Sequence, residues 1–352
     1  MNLKTRLLDD ERQEQLRAII ARIKSLLPWA SLASGVVGAF LMDRSPKSAW
    51  LIVLLALAGW IAVAGFALVS RLDPERFSGK KQLLIRAAHF SALLVTQSLM
   101  QSSLLFALPF YVQAAALSFE HAIFLGLLVA ASVATLWDPL YLSVVRGTVA
   151  RFALQGFATF TALNAVLPAL GLSNHASLIV SALASSAGAP LFTFLTAPGE
   201  GKRRRVVVVG VLAAVGLPLG LAFGGARVIP PAPLNLVRAE MGTALENREV
   251  SEPYDELDGV PDVLFCWTAI RAPRGLKDRL KHVWRHDGKV VDEVPLKISG
   301  GREEGFRTWS KKTRFGRHPE GRWTCSVETE AGQLLGKRSV RLSLDHGDEA
   351  AP

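Results

Sequence analysis

The residues best suited to chemistry lie in the last third of the chain. His282 and His286 are four apart, a zinc-ligand spacing on a helix. The residues around them alternate like a strand, which puts same-face positions four apart about 13 Å from each other, too far for one metal. Glu246, Glu249, Glu252, Asp255, Glu256, Asp258 and Asp262 form an acidic run without the ligand spacing of an EF-hand, and read as a solvated loop. Cys266 and Cys325 are the only cysteines. They are either bridged in an oxidising compartment or two separate buried thiols, and spacing leaves both open. No P-loop, dinucleotide-binding glycine pattern, nucleophile elbow or HExxH is present. No catalytic residue is assigned, and no metal or cofactor is expected.

The same region holds Trp267, Trp284, Trp309 and Trp323. An indole either fills a core or offers its face to a sugar, an aromatic ligand or a protein partner. Arg307, Lys311, Lys312, Arg314 and Arg317 surround Trp309. His282, Trp284, Arg307, Trp309, Ser310, Lys311 and Trp323 are therefore the binding candidates.

The rest of the chain has a different solvent. Half of the 352 residues are hydrophobic. Seven apolar segments, near Leu26–Met42, Ala49–Ser70, Leu83–Leu108, Ala122–Trp137, Phe152–Gly171, Ser177–Ala197 and Val206–Gly225, approach the length of a bilayer span. Residues 1–231 hold 20 Lys/Arg against 10 Asp/Glu, and residues 232–352 hold 20 of each. The basic excess thus sits with the apolar part, which argues against a nucleic-acid partner. It alternates from loop to loop as the positive-inside rule requires, with the N-terminus inside and the C-terminus outside. Residues 1–25 carry Leu16, Ile19, Ile20 and Ile23 at helical spacing between cations, the pattern of an amphipathic helix on the inner membrane face.

Polar residues inside spans are costly and often functional. Arg86, His89, Gln97 and Gln101 in the third segment either form a hydrogen-bonded seam between helices or line a polar cavity. Trp137-Asp138-Pro139-Leu140-Tyr141 closes the fourth segment at the interface, where Pro139 stops the helix. Gly216, Gly220 and Gly224 repeat every four residues in the last segment, a helix-packing face within the bundle or between protomers of a homo-oligomer.

Beyond Pro230-Pro231-Ala232-Pro233 the pattern changes to short alternating segments. Strands are predicted at Leu236–Leu245, Asp262–Ile270, Arg279–His286, Lys289–Ile298, Gly305–Lys311, Gly321–Thr329 and Leu334–Leu342. Asp287-Gly288 is a tight-hairpin signal between two of them. Seven short strands in this length suggest an antiparallel β-sandwich. His282-Val283-Trp284, Asp287-Gly288-Lys289, Trp309-Ser310-Lys311 and Gly321-Arg322-Trp323-Thr324, with a turn at Gly332, resemble the bacterial domain of unknown function numbered 2914, over roughly residues 236–343. The upstream part, with Leu105-Phe106-Ala107-Leu108-Pro109-Phe110 and Trp137-Asp138-Pro139-Leu140-Tyr141, resembles the multi-span segment often joined to that domain. The resemblance implies a bacterial inner-membrane protein and no known activity or catalytic residue.

The expected architecture is an α-helical membrane bundle of about seven transmembrane helices followed by an all-β antiparallel sandwich-like soluble domain. Its parts are a cytoplasmic amphipathic segment (1–25), a transmembrane domain (26–229), a Pro-rich linker (230–235), a periplasmic β-sandwich (236–343) and a polar tail (344–352). The leading function is an envelope binding module for a glycan or protein partner. A transporter or sensor using the third segment comes second, and an envelope enzyme third.

Overall fold

The computed structural model describes residues 46–196 and 225–343, apart from 117, 233, 276 and 277, together with isolated helical positions within 22–29 and 201–220. The helical part contains α1 (Pro46–Val69), α2 (Gly79–Ala114), α3 (Phe119–Leu136), α4 (Asp138–Arg146), α5 (Thr148–Val166) and α6 (Asn174–Thr196). Among the described residues, four helices are long and apolar enough to cross a membrane: α1, α2, α3, and α5 with the 3-10 turn that follows it. They correspond to the second through fifth expected spans, and the sixth falls within α6. Apart from Arg22, Leu26 and Trp29, the 1–25 segment and the first expected span lie outside the described residues, as does most of the seventh span.

Local chemistry sets the helix ends. Ser118 caps α3 by accepting the His121 N–H. Trp137 ends that helix, and Asp138-Pro139 starts α4, because proline suits a first turn and not an interior. At 36 residues α2 is about 54 Å long, well beyond a hydrocarbon core of about 30 Å. It therefore extends past the expected Leu83–Leu108 at both ends. The packed centre joins Met100, Leu104 and Tyr111 of α2, Leu128 of α3 and Leu178 of α6. The outer faces are apolar as well: Ile61 is 72% exposed, and Leu54, Ile123 and Leu127 are also exposed.

The β domain has ten strands: β1 (Asn235–Gly242), β2 (Leu245–Glu246), β3 (Glu249–Val250), β4 (Glu256–Asp258), β5 (Leu264–Arg271), β6 (Leu280–His286), β7 (Lys289–Leu296), β8 (Phe306–Lys312), β9 (Gly321–Thr329) and β10 (Leu334–Ser343). One sheet has the order β1-β5-β8, the other β4-β10-β9-β6-β7, and β2-β3 form a small hairpin. Among the described residues, only β4 and β10 pair in parallel. All seven expected strands are present within a few residues. The acidic run, expected as a plain loop, folds into β2, β3 and β4. Its hairpin turns at Asn247 and Arg248, with φ of 50° and 65°, the left-handed conformation a tight hairpin needs.

Alternation along each strand sends one side chain in two to the shared core. Cys266 of β5, Trp284 of β6, and Trp323 and Cys325 of β9 meet there with Met241 and Leu264. The Pro-rich segment is not a solvated tether: Ile229, Pro230, Pro231 and Ala232 are buried. Ile229 and Ala232 join the helical core, while Leu234 joins the β core. Gln333 reinforces this junction, with its Nε2 donating to the Ile229 carbonyl at 3.0 Å.

Candidate functional site

The inward residues of β5, β6, β8 and β9 build a buried polar cluster. Cys266 and Cys325 are bridged, with Cα atoms 6.3 Å apart, and so join the two sheets. His282 beside them is completely buried. Its Nδ1 lies 2.8 Å from Ser310 Oγ and its Nε2 3.0 Å from Thr268 Oγ1. Trp284 Nε1 donates to the same Ser310 oxygen at 3.0 Å, and Thr268 Oγ1 donates to the Thr308 carbonyl at 3.5 Å. One assignment gives every atom a partner. Trp284 donates to Ser310, whose hydroxyl donates to Nδ1, while Nε2–H donates to Thr268. That arrangement needs a neutral ring, and burial pushes the His282 pKa down to about 4.

This cluster corrects part of the binding expectation. His282, Trp284, Ser310 and Trp323 are core residues and present nothing to an outside ligand. Trp323 is enclosed by His286, stacked on it at 4.5 Å, and by Phe315, edge-on at 5.1 Å. His282 lies in the core, while His286 meets the Glu320 carbonyl through Nε2 at 2.8 Å.

Arg307, Trp309 and Lys311 alternate with Ser310 and face outward from β8. Trp309 is 42% exposed. Across the sheet it stands opposite Trp267, which stands opposite Glu240. Trp267 is covered by the β2-β3 hairpin, where Val250 packs on it and its Nε1 donates to the Arg248 carbonyl at 2.7 Å. Glu249 of that hairpin reaches Arg307 at 2.9 Å and Arg238 at 3.7 Å. The hairpin thus hides one indole and leaves the other open at the sheet edge, beside a cation fixed by Glu249. Since β8 ends its sheet, its outer backbone edge has no hydrogen-bonded strand partner among the described residues.

The polar residues of α2 are engaged with neighbouring helices and loops. Arg86 pairs at 2.8 Å with Glu75 of the 3-10 turn before α2. His89 Nε2 meets the Val69 carbonyl at 2.5 Å. Gln97 Nε2 donates to the Thr135 carbonyl at 2.9 Å and to Asp138 Oδ1 at 3.0 Å. Gln101 is buried and also has a partner. A Cβ added at Gly216 or Gly220 would meet no described atom within 4 Å, and Gly224 lies outside the described residues.

One grouping went unread in the sequence: the junction of the two parts. Asp278, in the loop before β6, accepts the N–H of Asn174 at the start of α6. Ser173, His175, Arg279, Thr329 and Glu330 surround it, lining a cleft of about 230 Å³. Burial, aided by Glu330, raises the Asp278 pKa to about 6, against the opposing pull of that hydrogen bond and of His175.

Residues 9–261, most of the chain, match a Family of unknown function (DUF5924). The chain belongs to this family. Residues 277–341 match a second model, Protein of unknown function (DUF2914). The second match confirms the resemblance over a shorter stretch than the 236–343 expected. The boundary between the models falls inside the β domain: the family model covers β1 to β4, and the other covers β6 to most of β10. The two therefore share one core. Among curated proteins, no sequence matches. A solved structure, Pseudomonas fluorescens alkylpurine DNA glycosylase AlkC bound to DNA containing an abasic site analog, aligns at 12% identity and a TM-score of 0.23, covering 83% of this chain and 96% of that one. At that similarity it informs neither fold nor function.

Proposed function

We propose that this protein is a bacterial inner-membrane protein whose helices anchor a periplasmic β-sandwich, and that the sandwich is a binding module for an envelope glycan or protein. The membrane reading rests on helices that are apolar on all sides, since such surfaces require an apolar solvent. Seven spans, with the N-terminus inside, follow from the alternation of basic loops. The binding reading rests on one observation: the exposed Trp309 between Arg307 and Lys311 on an open sheet edge. An indole face beside cations suits a sugar ring or an aromatic hot spot on a partner.

The test is site-directed photocrosslinking in native membranes. A crosslinker replacing Trp309 or Lys311 should capture a discrete adduct, protein or glycan, and one replacing Trp323 should not. Equal capture at all three positions, or none, rejects the reading. A sensor is the second reading, favoured by the contact of Asp278 with α6, which ties the β domain to a helix of the membrane part.

A further inference from the structure

We propose that reduction of the Cys266–Cys325 bridge opens a buried site for a thiophilic divalent cation, with the two thiolates and the His282 imidazole as ligands. The three residues come from β5, β9 and β6, so the site spans both sheets. One donor atom from each lies within 4.8 Å of the others, and all three residues are buried. A tetrahedral zinc ion with Zn–S of about 2.3 Å and Zn–N of about 2.0 Å needs its ligand atoms roughly 3.5–4 Å apart. The sulfurs must relax from bonding distance, and an imidazole nitrogen that lies within 4.8 Å of them must close by up to about 1 Å.

The rest of the surroundings suit an ion. Two thiolates cancel a divalent charge and a neutral imidazole adds none, so no net charge is buried. A metal-bound imidazole is held by a hydrogen bond from its other nitrogen. Here one nitrogen would bind the ion while the other keeps its hydroxyl, Thr268 if the ion takes Nδ1 and Ser310 if it takes Nε2. The displaced hydroxyl or a water completes the shell.

The chemistry balances in two steps. A dithiol reductant supplies two electrons and two protons, converting the disulfide into two thiols and itself into a disulfide. The cation then displaces both thiol protons. Disulfide and metal are thus alternative crosslinks at one place in the core.

The experiment uses the full-length chain in detergent, reduced, freed of reductant without air and titrated with Co²⁺ as an optical probe. One equivalent should produce thiolate-to-cobalt charge transfer and tetrahedral visible bands, and Zn²⁺ should abolish them by displacement. The oxidised protein should show neither. Cys266→Ser should remove the signal, and His282→Ala should weaken binding by about 10-fold or more. His282→Gln keeps an amide able to bond Thr268 and Ser310, so it separates loss of a ligand from loss of fold, checked by circular dichroism. Binding by His282→Gln as tight as by the wild type overturns the proposal. So does reduced wild-type protein that gives no bands and whose thiols Zn²⁺ does not protect from alkylation.

Discussion

Both carboxylate oxygens of Asp278 accept the backbone N–H of Asn174, at 2.9 and 3.1 Å. This single donor belongs to the first residue of a 23-residue helix, where unpaired N–H groups and the helix dipole favour an anion. A side chain from the β domain thus caps a helix 104 positions away in sequence. The burial that makes the contact also raises the Asp278 pKa from 3.8 to about 6.

The sign of the pH effect follows. A carboxyl whose folded pKa is raised stabilises the assembled form fully below its unfolded pKa, and that contribution is lost as pH rises through about 6. The ceiling is about 3 kcal/mol. Thermal unfolding of the full chain in detergent should therefore show higher stability at pH 5 than at pH 7.5. Asp278→Asn should flatten that difference and, at pH 7.5, raise stability toward the pH 5 level, by up to about 3 kcal/mol. An unchanged pH profile in the variant would assign the effect to other groups.

The disulfide closes a separation of 59 residues, which the chain-entropy relation converts to about 4 kcal/mol of stabilisation of the β domain. Non-reduced protein should resist thiol labelling even in denaturant. Reduction should lower the denaturant midpoint of the β domain and raise the slope, because the unfolded chain without its crosslink exposes more surface. Complete labelling without reductant would eliminate the bridge.

The two kinds of tryptophan should separate by stability. Trp323→Ala removes a core ring that also donates to the Pro319 carbonyl, and should cost about 3–5 kcal/mol. Trp309→Ala removes a partly exposed ring and should cost less than about 1 kcal/mol. Melting curves decide this, and they give Trp309→Ala its value as a binding probe, since any loss of capture would not reflect unfolding.

Gln97 joins α2 to the α3–α4 break through Thr135 and Asp138. Gln97→Leu leaves Asp138 Oδ1 without that donor, and should lower bundle stability by about 1 kcal/mol. Loss of a cellular phenotype with no change in stability would instead favour the transporter reading.

Topology has a direct measurement. Reporter fusions after Pro233 should read as external and fusions after Arg205 as internal. A cytoplasmic signal at the C-terminus would mean that one span is miscounted.

The sequence by itself determined the elements, because their signals are local. Apolar run length marked α1, α2, α3, α5 and α6 but not the short α4, period-two alternation marked seven strands, and Asp287-Gly288, with φ of 47° and 82°, marked a hairpin. The short strands β2, β3 and β4 escaped because two or three residues carry too little periodicity, and their acidic composition signals solvent. What only the tertiary structure decided was which residues meet. Alternation places His282, Trp284 and Ser310 on one face or the other of their strands, but the pairing of β6 with β9 and the stacking of two sheets decide that this face is the core. The same pairing brings His282 beside the cysteines, and the hairpin over Trp267 leaves Trp309 outside. Asp278 and Asn174 carry no mutual signal at all, since the contact exists only where the β domain packs against the helices.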